Sequence, residues 1–260
     1  MARAIEARLK RGKRDPAIAV AQVLATVGLV AFAEYAVRTK LINKLFLSSP
    51  SQIVEEFIYM NQKGQLWGHV LISLQEFALG FALSAAVGIG LGIAFVVFPR
   101  LEAFLSVFCA AFMSIPKSAI LPLLVIWFGI GFQSKVVLIF LFCVFGILFN
   151  TVAGAKQTRP EHLKVARVFK ATRMQTVLKF IFPSSLPNVF AGLRVTAATA
   201  FAAVIFAEMS AAKNGIGYLL TEAQNVLNTP RLFVVVVIVT VISIALVSIV
   251  DLVERALIHK

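Results

Sequence analysis

Acidic residues are scarce in this chain. Twelve Asp and Glu face 25 Lys and Arg across 260 residues, and charged residues of both signs reach only 14%. A soluble domain of this length needs much more polar surface than that. With 60% hydrophobic residues and a mean hydropathy of +0.91, the bilayer is the natural solvent. Cysteine is nearly missing too: Cys109 and Cys143 both sit inside apolar runs and read as packing residues, not as a disulfide or metal site. The three histidines, His69, His162 and His259, are isolated and lack zinc-ligand spacing. Clustered nucleophiles within the apolar runs are also lacking, which argues against an intramembrane enzyme.

What is present is a series of long apolar segments, near 17–37, 70–98, 103–130, 136–153, 189–212 and 232–252. Only helices or closed barrels satisfy backbone groups in lipid, and these runs show no two-residue alternation. The expectation is an all-α polytopic membrane protein with six transmembrane helices. Basic residues from Arg3 to Arg14, followed by Ala31-Phe32-Ala33, resemble a cleavable leader. However, Ala17 to Val37 is long enough to span, so a retained first helix is expected.

Six spans put both termini on one side. With the N-terminus inside, 17 Lys and Arg fall on the inner face and 7 on the outer, while Lys117 lies within the third span. That asymmetry sets both termini in the cytoplasm. The excess of basic residues is thereby assigned to an anionic membrane face instead of to nucleic acid. The chain divides into a basic cytoplasmic N-terminus, 1–16, and a transmembrane domain, 17–260, with a long inner loop at about 155–188.

The connections differ in character. Ser49-Pro50-Ser51 precedes Ile53, Val54, Phe57 and Ile58, the spacing of a Ser-capped amphipathic helix at the membrane surface, with Tyr59 and Trp67 suited to the interface. Gly80, Ser84, Gly88 and Gly92 recur every fourth residue and form a seam for close helix packing. Pro116 and Pro122 interrupt the third span, which should be kinked or broken. Lys117 between them is either an anion-attracting group on a solute path or a lysine that snorkels or bonds freed carbonyls. Glu208 closes an Ala-rich stretch, and is read as hydrated, as a gate, or as a partner for a basic residue across a dimer. Glu34 and Glu76 are expected to be hydrated. The candidate path residues are Ser114, Pro116, Lys117, Glu208 and Met209.

In the inner loop, Thr158 with Glu161 has the form of a capping box, and Pro160 fits an early helical position. A second short helix is expected from about Arg173 to Ile181, ended by Pro183. Two short helices with exposed apolar residues imply a docking surface or a helix on anionic lipid.

This loop resembles that of the inner-membrane subunits of binding-protein-dependent ABC importers, whose motif is E-A-A, three residues, G, nine residues, then I-x-L-P. Here Lys164-Val165-Ala166 falls on E-A-A, Lys170 on the glycine and Phe180-Ile181-Phe182-Pro183 on I-x-L-P; Ala166 and Pro183 keep the family identities. Beyond the loop, Ile115-Pro116-Lys117, Leu121-Pro122-Leu123, Trp127-Phe128-Gly129-Ile130-Gly131, Ala191-Gly192-Leu193-Arg194, Ala207-Glu208-Met209 and Gly215-Ile216-Gly217-Tyr218 resemble the nitrate/sulfonate/taurine branch over roughly 48–255.

The resemblance implies a type I importer permease fold with no catalytic residue. Leu163, Lys164, Val165, Ala166, Phe169, Lys170, Ala171 and Thr172 would form the surface that couples to a cytoplasmic ATPase. It implies a permease homodimer, two ATPase copies carrying ATP and Mg, and a periplasmic or lipid-anchored binding protein. The chain itself has no Gly-rich phosphate loop with a Lys-Ser/Thr pair, so ATP hydrolysis falls to that partner. A left-handed turn at Lys170 would cost about 1–2 kcal/mol relative to glycine, so the helix is expected to continue there or the turn to be built differently. A secondary transporter or channel, using Glu76, Lys117 and Glu208 as coupling or selectivity groups, is the alternative.

Overall fold

The computed structural model describes residues 16–258. The basic segment from Arg3 to Arg14, together with His259 and Lys260, lies outside them. The described residues are almost wholly helical. In chain order the helices are α1 (Pro16–Arg38), α2 (Pro50–Gln62), α3 (Trp67–Val97), α4 (Pro99–Ser114), α5 (Lys117–Phe128), α6 (Phe132–Lys156), α7 (Pro160–Val168), α8 (Arg173–Thr176), α9 (Phe182–Ala211), α10 (Ile216–Asn225) and α11 (Thr229–Ile258). A π-helical turn, Val177–Ile181, joins α8 to α9.

Among the described residues, five helical stretches are long and apolar enough to cross a bilayer, and the pair α4–α5 makes a sixth if it counts as one span. That pair bends by 94° at Ile115-Pro116, so no straight helix runs over 103–130. Pro116 has no amide hydrogen, and Ile115 before it takes an extended conformation, with φ −67° and ψ 131°. Pro122 lies inside α5 without breaking it.

The chain separates into two compact units. The first comprises 16–60 of the described residues with 223–234. Within it, Glu34 of α1 accepts hydrogen bonds from the Ser51 amide (3.0 Å) and hydroxyl (2.8 Å) at the start of α2. Ser49 and Gln52 bond reciprocally, each side chain to the other's amide at 3.4 Å, which caps α2. Arg231 pairs with Glu56 at 3.0 Å, and the Thr229 hydroxyl donates to the Leu45 carbonyl at 2.9 Å. Glu34, expected in water, is partly shielded and bound to Ser51 and Arg38.

The second unit comprises 61–222 with 235–258 of the described residues. Its centre is α6, which packs against α3 and α9; half of its most apolar stretch is buried within the chain. Gly80, Ser84, Gly88 and Gly92 all lie buried on α3. A Cβ at Gly80 would stand 2.7 Å from the Ile139 side chain, one at Gly88 2.8 Å from the Val144 carbonyl, and one at Gly92 2.6 Å from Thr151. Ser84 instead donates to the Gly80 carbonyl at 2.7 Å, keeping its hydroxyl satisfied in the seam. Phe95, Leu148 and Val152 pack at one end of this interface; Leu121, Leu124, Leu138 and Ala207 form a cluster around α5.

Candidate functional site

The loop after α6 is built by ordinary local chemistry. Pro160 opens α7 at a position where its missing amide costs nothing. Thr158 and Glu161 do not form a capping box: the Thr158 hydroxyl donates back to the Ala155 carbonyl at 2.8 Å and finishes α6. The box forms further on, where the Thr172 hydroxyl accepts from the Gln175 amide and the Gln175 side chain accepts from the Thr172 amide.

Between the two helices the chain turns at Lys170, whose φ is +49°. The Lys170 amide donates to the Arg167 carbonyl and the Ala171 amide to the Ala166 carbonyl, both at 3.0 Å. This pair of bonds is a Schellman ending with lysine in the left-handed position. The helix therefore does not continue through Lys170; it takes the turn that glycine would allow more cheaply.

Nor does Pro183 end the second helix. The π turn widens the ladder so that the Phe182 amide reaches the Val177 carbonyl, and Pro183 then enters α9 at a position needing no donor. Arg173–Ala211 is continuous helix.

Ala166 and Val177 are buried and anchor the loop, aided by a 2.9 Å contact between His162 Nδ1 and the Ser184 hydroxyl. Leu163 and Ala171 are half-buried, while Lys164, Val165, Lys170 and Thr172 face outward. Val168 and Phe169 are 79% and 76% exposed, among the most exposed large apolar residues described. Seven of the eight loop residues singled out in the sequence thus surround one protruding turn, with Ala166 holding it from behind.

The other end of α9 is a polar clasp. Glu208, Ser73 and His69 satisfy the first three amides around the start of α10: Gly215 donates to His69 Nδ1 (2.9 Å), Ile216 to the Ser73 hydroxyl (2.9 Å) and Gly217 to Glu208 Oε2 (2.7 Å). The Ser73 hydroxyl in turn donates to Glu208 Oε1 at 2.6 Å. Next to it, Glu76 pairs with Lys135 inside the protein. Glu76, expected in water, is therefore buried, and of the readings open for Glu208 the hydrated one fails; each is 1% exposed or less. Lys135, one of the seven basic residues that the charge count assigns to the outer face, is 4% exposed and lies in the first turn of α6. Their positions near helix ends concealed this, because sequence shows depth along a helix but not which neighbour covers it. The spacing of four and then three residues from His69 to Ser73 to Glu76 was the available signal: it puts three polar groups on one helix face.

A cleft of about 350 Å³ opens beside the Glu76–Lys135 pair, lined also by Gln75, Phe132, Lys213 and Asn214. At the α4–α5 bend, Lys117 donates from Nζ to the Met113 carbonyl at 2.8 Å and stands 5.9 Å from the centre of the Phe142 ring. Ser114 donates to the Ala110 carbonyl at 3.0 Å, and Met209 is 41% exposed. Ser114, Pro116 and Lys117 thus share the bend, whereas Glu208 belongs to the clasp; among the described residues no hydrogen bond or ion pair joins Lys117 to Glu208.

Residues 86–259 match the model of the binding-protein-dependent transport system inner membrane component. The chain belongs to that family. The permease is 31% identical over 241 residues to the putative aliphatic sulfonates transport permease protein of Bacillus subtilis, covering 93% of this chain and 83% of the relative. It is also 31% identical over 195 residues to the taurine transport system permease protein of Escherichia coli, covering 73% of this chain and 71% of that one. Among solved structures, an inward-facing MetNI methionine ABC transporter chain superimposes with a TM-score of 0.67 at 19% identity, over 75% of this chain and 98% of the other. The fold is that of ABC importer permeases, and the relatives are transport components rather than enzymes.

Proposed function

We propose that this permease forms the membrane path of an ATP-driven importer for a small organic or inorganic anion of the sulfonate, taurine or nitrate kind. The observation that carries the reading is the protruding α7–α8 turn, which leaves Val168 and Phe169 uncovered beside basic residues on a rigidly anchored base. Such a surface serves docking, and a cytoplasmic ATPase holding ATP and Mg is the partner that an importer requires. The 17 to 7 distribution of basic residues supports an orientation with both termini and this turn in the cytoplasm. A periplasmic or lipid-anchored binding protein would deliver the solute at the opposite face.

A second copy of the chain completes the path in this reading. The α4–α5 pair exposes Phe104, Val107, Phe108, Ile126 and Trp127, enough apolar surface for lipid and for a partner permease. Ser114, Pro116 and Lys117 at the bend, and Met209, would line the route, with the Lys117 ammonium attracting the anion. The names of the sulfonate and taurine relatives support this solute class.

The decisive measurement is uptake by proteoliposomes containing the permease and its ATPase, with binding protein and ATP supplied on their proper sides. Phe169→Asp should abolish ATP-dependent uptake and ATPase co-purification while leaving the permease folded. Uptake that persists without ATPase would overturn the reading in favour of a secondary transporter. Lys117→Ala should lower uptake at subsaturating solute; unchanged uptake at every concentration would remove Lys117 from the path.

A further inference from the structure

The docking turn carries charge that nothing within the described residues neutralises. Lys164, Arg167, Lys170 and Arg173 are exposed, and no carboxylate of the described residues pairs with Lys164 or Lys170. On the α7 wheel, buried Ala166 defines the inner side; Lys164 and Val168 lie nearly opposite it, flanked by Val165 and Arg167. Lys170 sits at the tip, held there by the Schellman bonds in a conformation that glycine would adopt without strain.

Two kinds of surface attract such a knob. A helix lying on anionic lipid segregates its faces, with apolar residues immersed and basic ones toward the headgroups. Here Lys164 and Val168 project in the same direction, so immersing one would immerse the other. A concave protein surface with an apolar floor and acidic walls accommodates both together.

We propose that Lys164 and Lys170 are the specificity contacts of this permease, and that its occupant is an acidic groove on the ATPase subunit, with an apolar floor for Val168 and Phe169. The inference rests on the ATP-driven reading above and adds to it the chemistry of the partner. In docking, the charge of Lys170 offsets the strain of lysine in the left-handed position.

The test uses the full-length permease in nanodiscs of neutral phosphatidylcholine and the purified ATPase subunit of the same transporter, with affinity measured at 50 and 300 mM NaCl. Binding should weaken at least tenfold at the higher salt, because contacts of this kind are screened. Lys164→Glu should weaken binding tenfold or more and flatten the salt response; a carboxylate-to-lysine change in the groove should restore it. Lys170→Gly, which relaxes the turn, should also weaken binding, by about threefold for one screened charge pair at a protein surface. Unchanged or tighter binding in both variants would overturn the proposal. So would salt-independent binding of the native pair, or permease proteoliposomes that cluster onto phosphatidylglycerol vesicles through Lys164 and Lys170 while their ATPase affinity stays constant. If the native permease binds no ATPase at all, the ATP-driven reading fails first; if it binds with affinity indifferent to these lysines, only the groove chemistry fails.

Discussion

The two ends of α9, separated by about 45 Å for a 30-residue helix, treat polar and apolar groups in opposite ways. At the clasp end, two carboxylates, one ammonium and a hydroxyl are buried beside a half-buried imidazole, and they pair with each other or with backbone amides. At the loop end, valine, phenylalanine and lysine are left uncovered on a frame whose backbone bonds are complete. The first end uses its side chains to hold the protein's own α10. The second holds itself by backbone and capping bonds, and so keeps its side chains for something else. Substitutions should therefore act on stability at the clasp and on association at the loop.

The largest effect is expected where the clasp holds charge. Lys135→Met strands the Glu76 carboxylate inside the protein, a change that costs about 3–5 kcal/mol when a buried pair loses one partner. Thermal unfolding in a fixed detergent should show the loss, and Glu76→Gln added to Lys135→Met should recover much of it. A single variant as stable as the native chain would show that water reaches Glu76, and the contrast between the ends would weaken. Next comes Glu208→Ala, which leaves the Gly217 amide without its acceptor and the Ser73 hydroxyl with only its longer bond to the His69 carbonyl, at 3.2 Å. A loss of about 1–3 kcal/mol is expected from an unmet buried donor. Protection of the Gly217 amide from hydrogen exchange should fall with it.

The Gly215–Gly217 turn explains why this carboxylate fits so closely. Gly215 has φ +116°, and a Cβ there would stand 2.1 Å from Glu208 Oε1. A Cβ on Gly217 would stand 2.4 Å from the Ile205 carbonyl. The sequence displayed Gly215-Ile216-Gly217-Tyr218 as a family-like string, but not that the Gly217 amide closes on a glutamate nine residues earlier while those of Gly215 and Ile216 reach His69 and Ser73.

What could be read from sequence follows the same division. Long apolar runs, the four-residue rhythm of Gly80 to Gly92 and the proline-marked interruption at Ile115-Pro116 express local periodicity and backbone sterics, and these survive in the structure. The clasp depends on residues 135 and 143 positions apart, as Ser73 is from Glu208 and from Ile216, and no local pattern encodes that meeting. Local rules also misled where two candidates competed. Thr158-x-x-Glu161 and Thr172-x-x-Gln175 both have the form of a capping box, but the Thr158 hydroxyl is already engaged in ending α6. Proline at 183 stops a regular α-helix, and the π turn ahead of it removes the need for its missing donor.

At the loop end the expected stability effects are smaller. Thr172→Ala removes the cap of α8, and caps of this kind contribute about 1 kcal/mol. Association should suffer more than folding, because α8 and the π turn support the exposed face of Met174 and Leu178. If unfolding shifts by several kcal/mol instead, the loop frame is part of the folding core and the two ends are not separable.

The smallest effect carries the sharpest information. Lys170→Gly removes the left-handed penalty of a Cβ-bearing residue, about 1–2 kcal/mol, but gives back about 1 kcal/mol through the greater chain entropy of glycine when unfolded. The net expectation is neutral stability or a gain of up to about 1 kcal/mol, read by thermal unfolding of the permease without its partner. A residue kept only for the turn would then be improved upon in every respect by glycine. If the variant is no less stable and yet docks less well, the turn and the charge are distinct properties of one residue, and the strain at Lys170 belongs to the interface. A clear loss of stability would instead mean that the lysine side chain supports the loop itself, and the loop end would resemble the clasp after all.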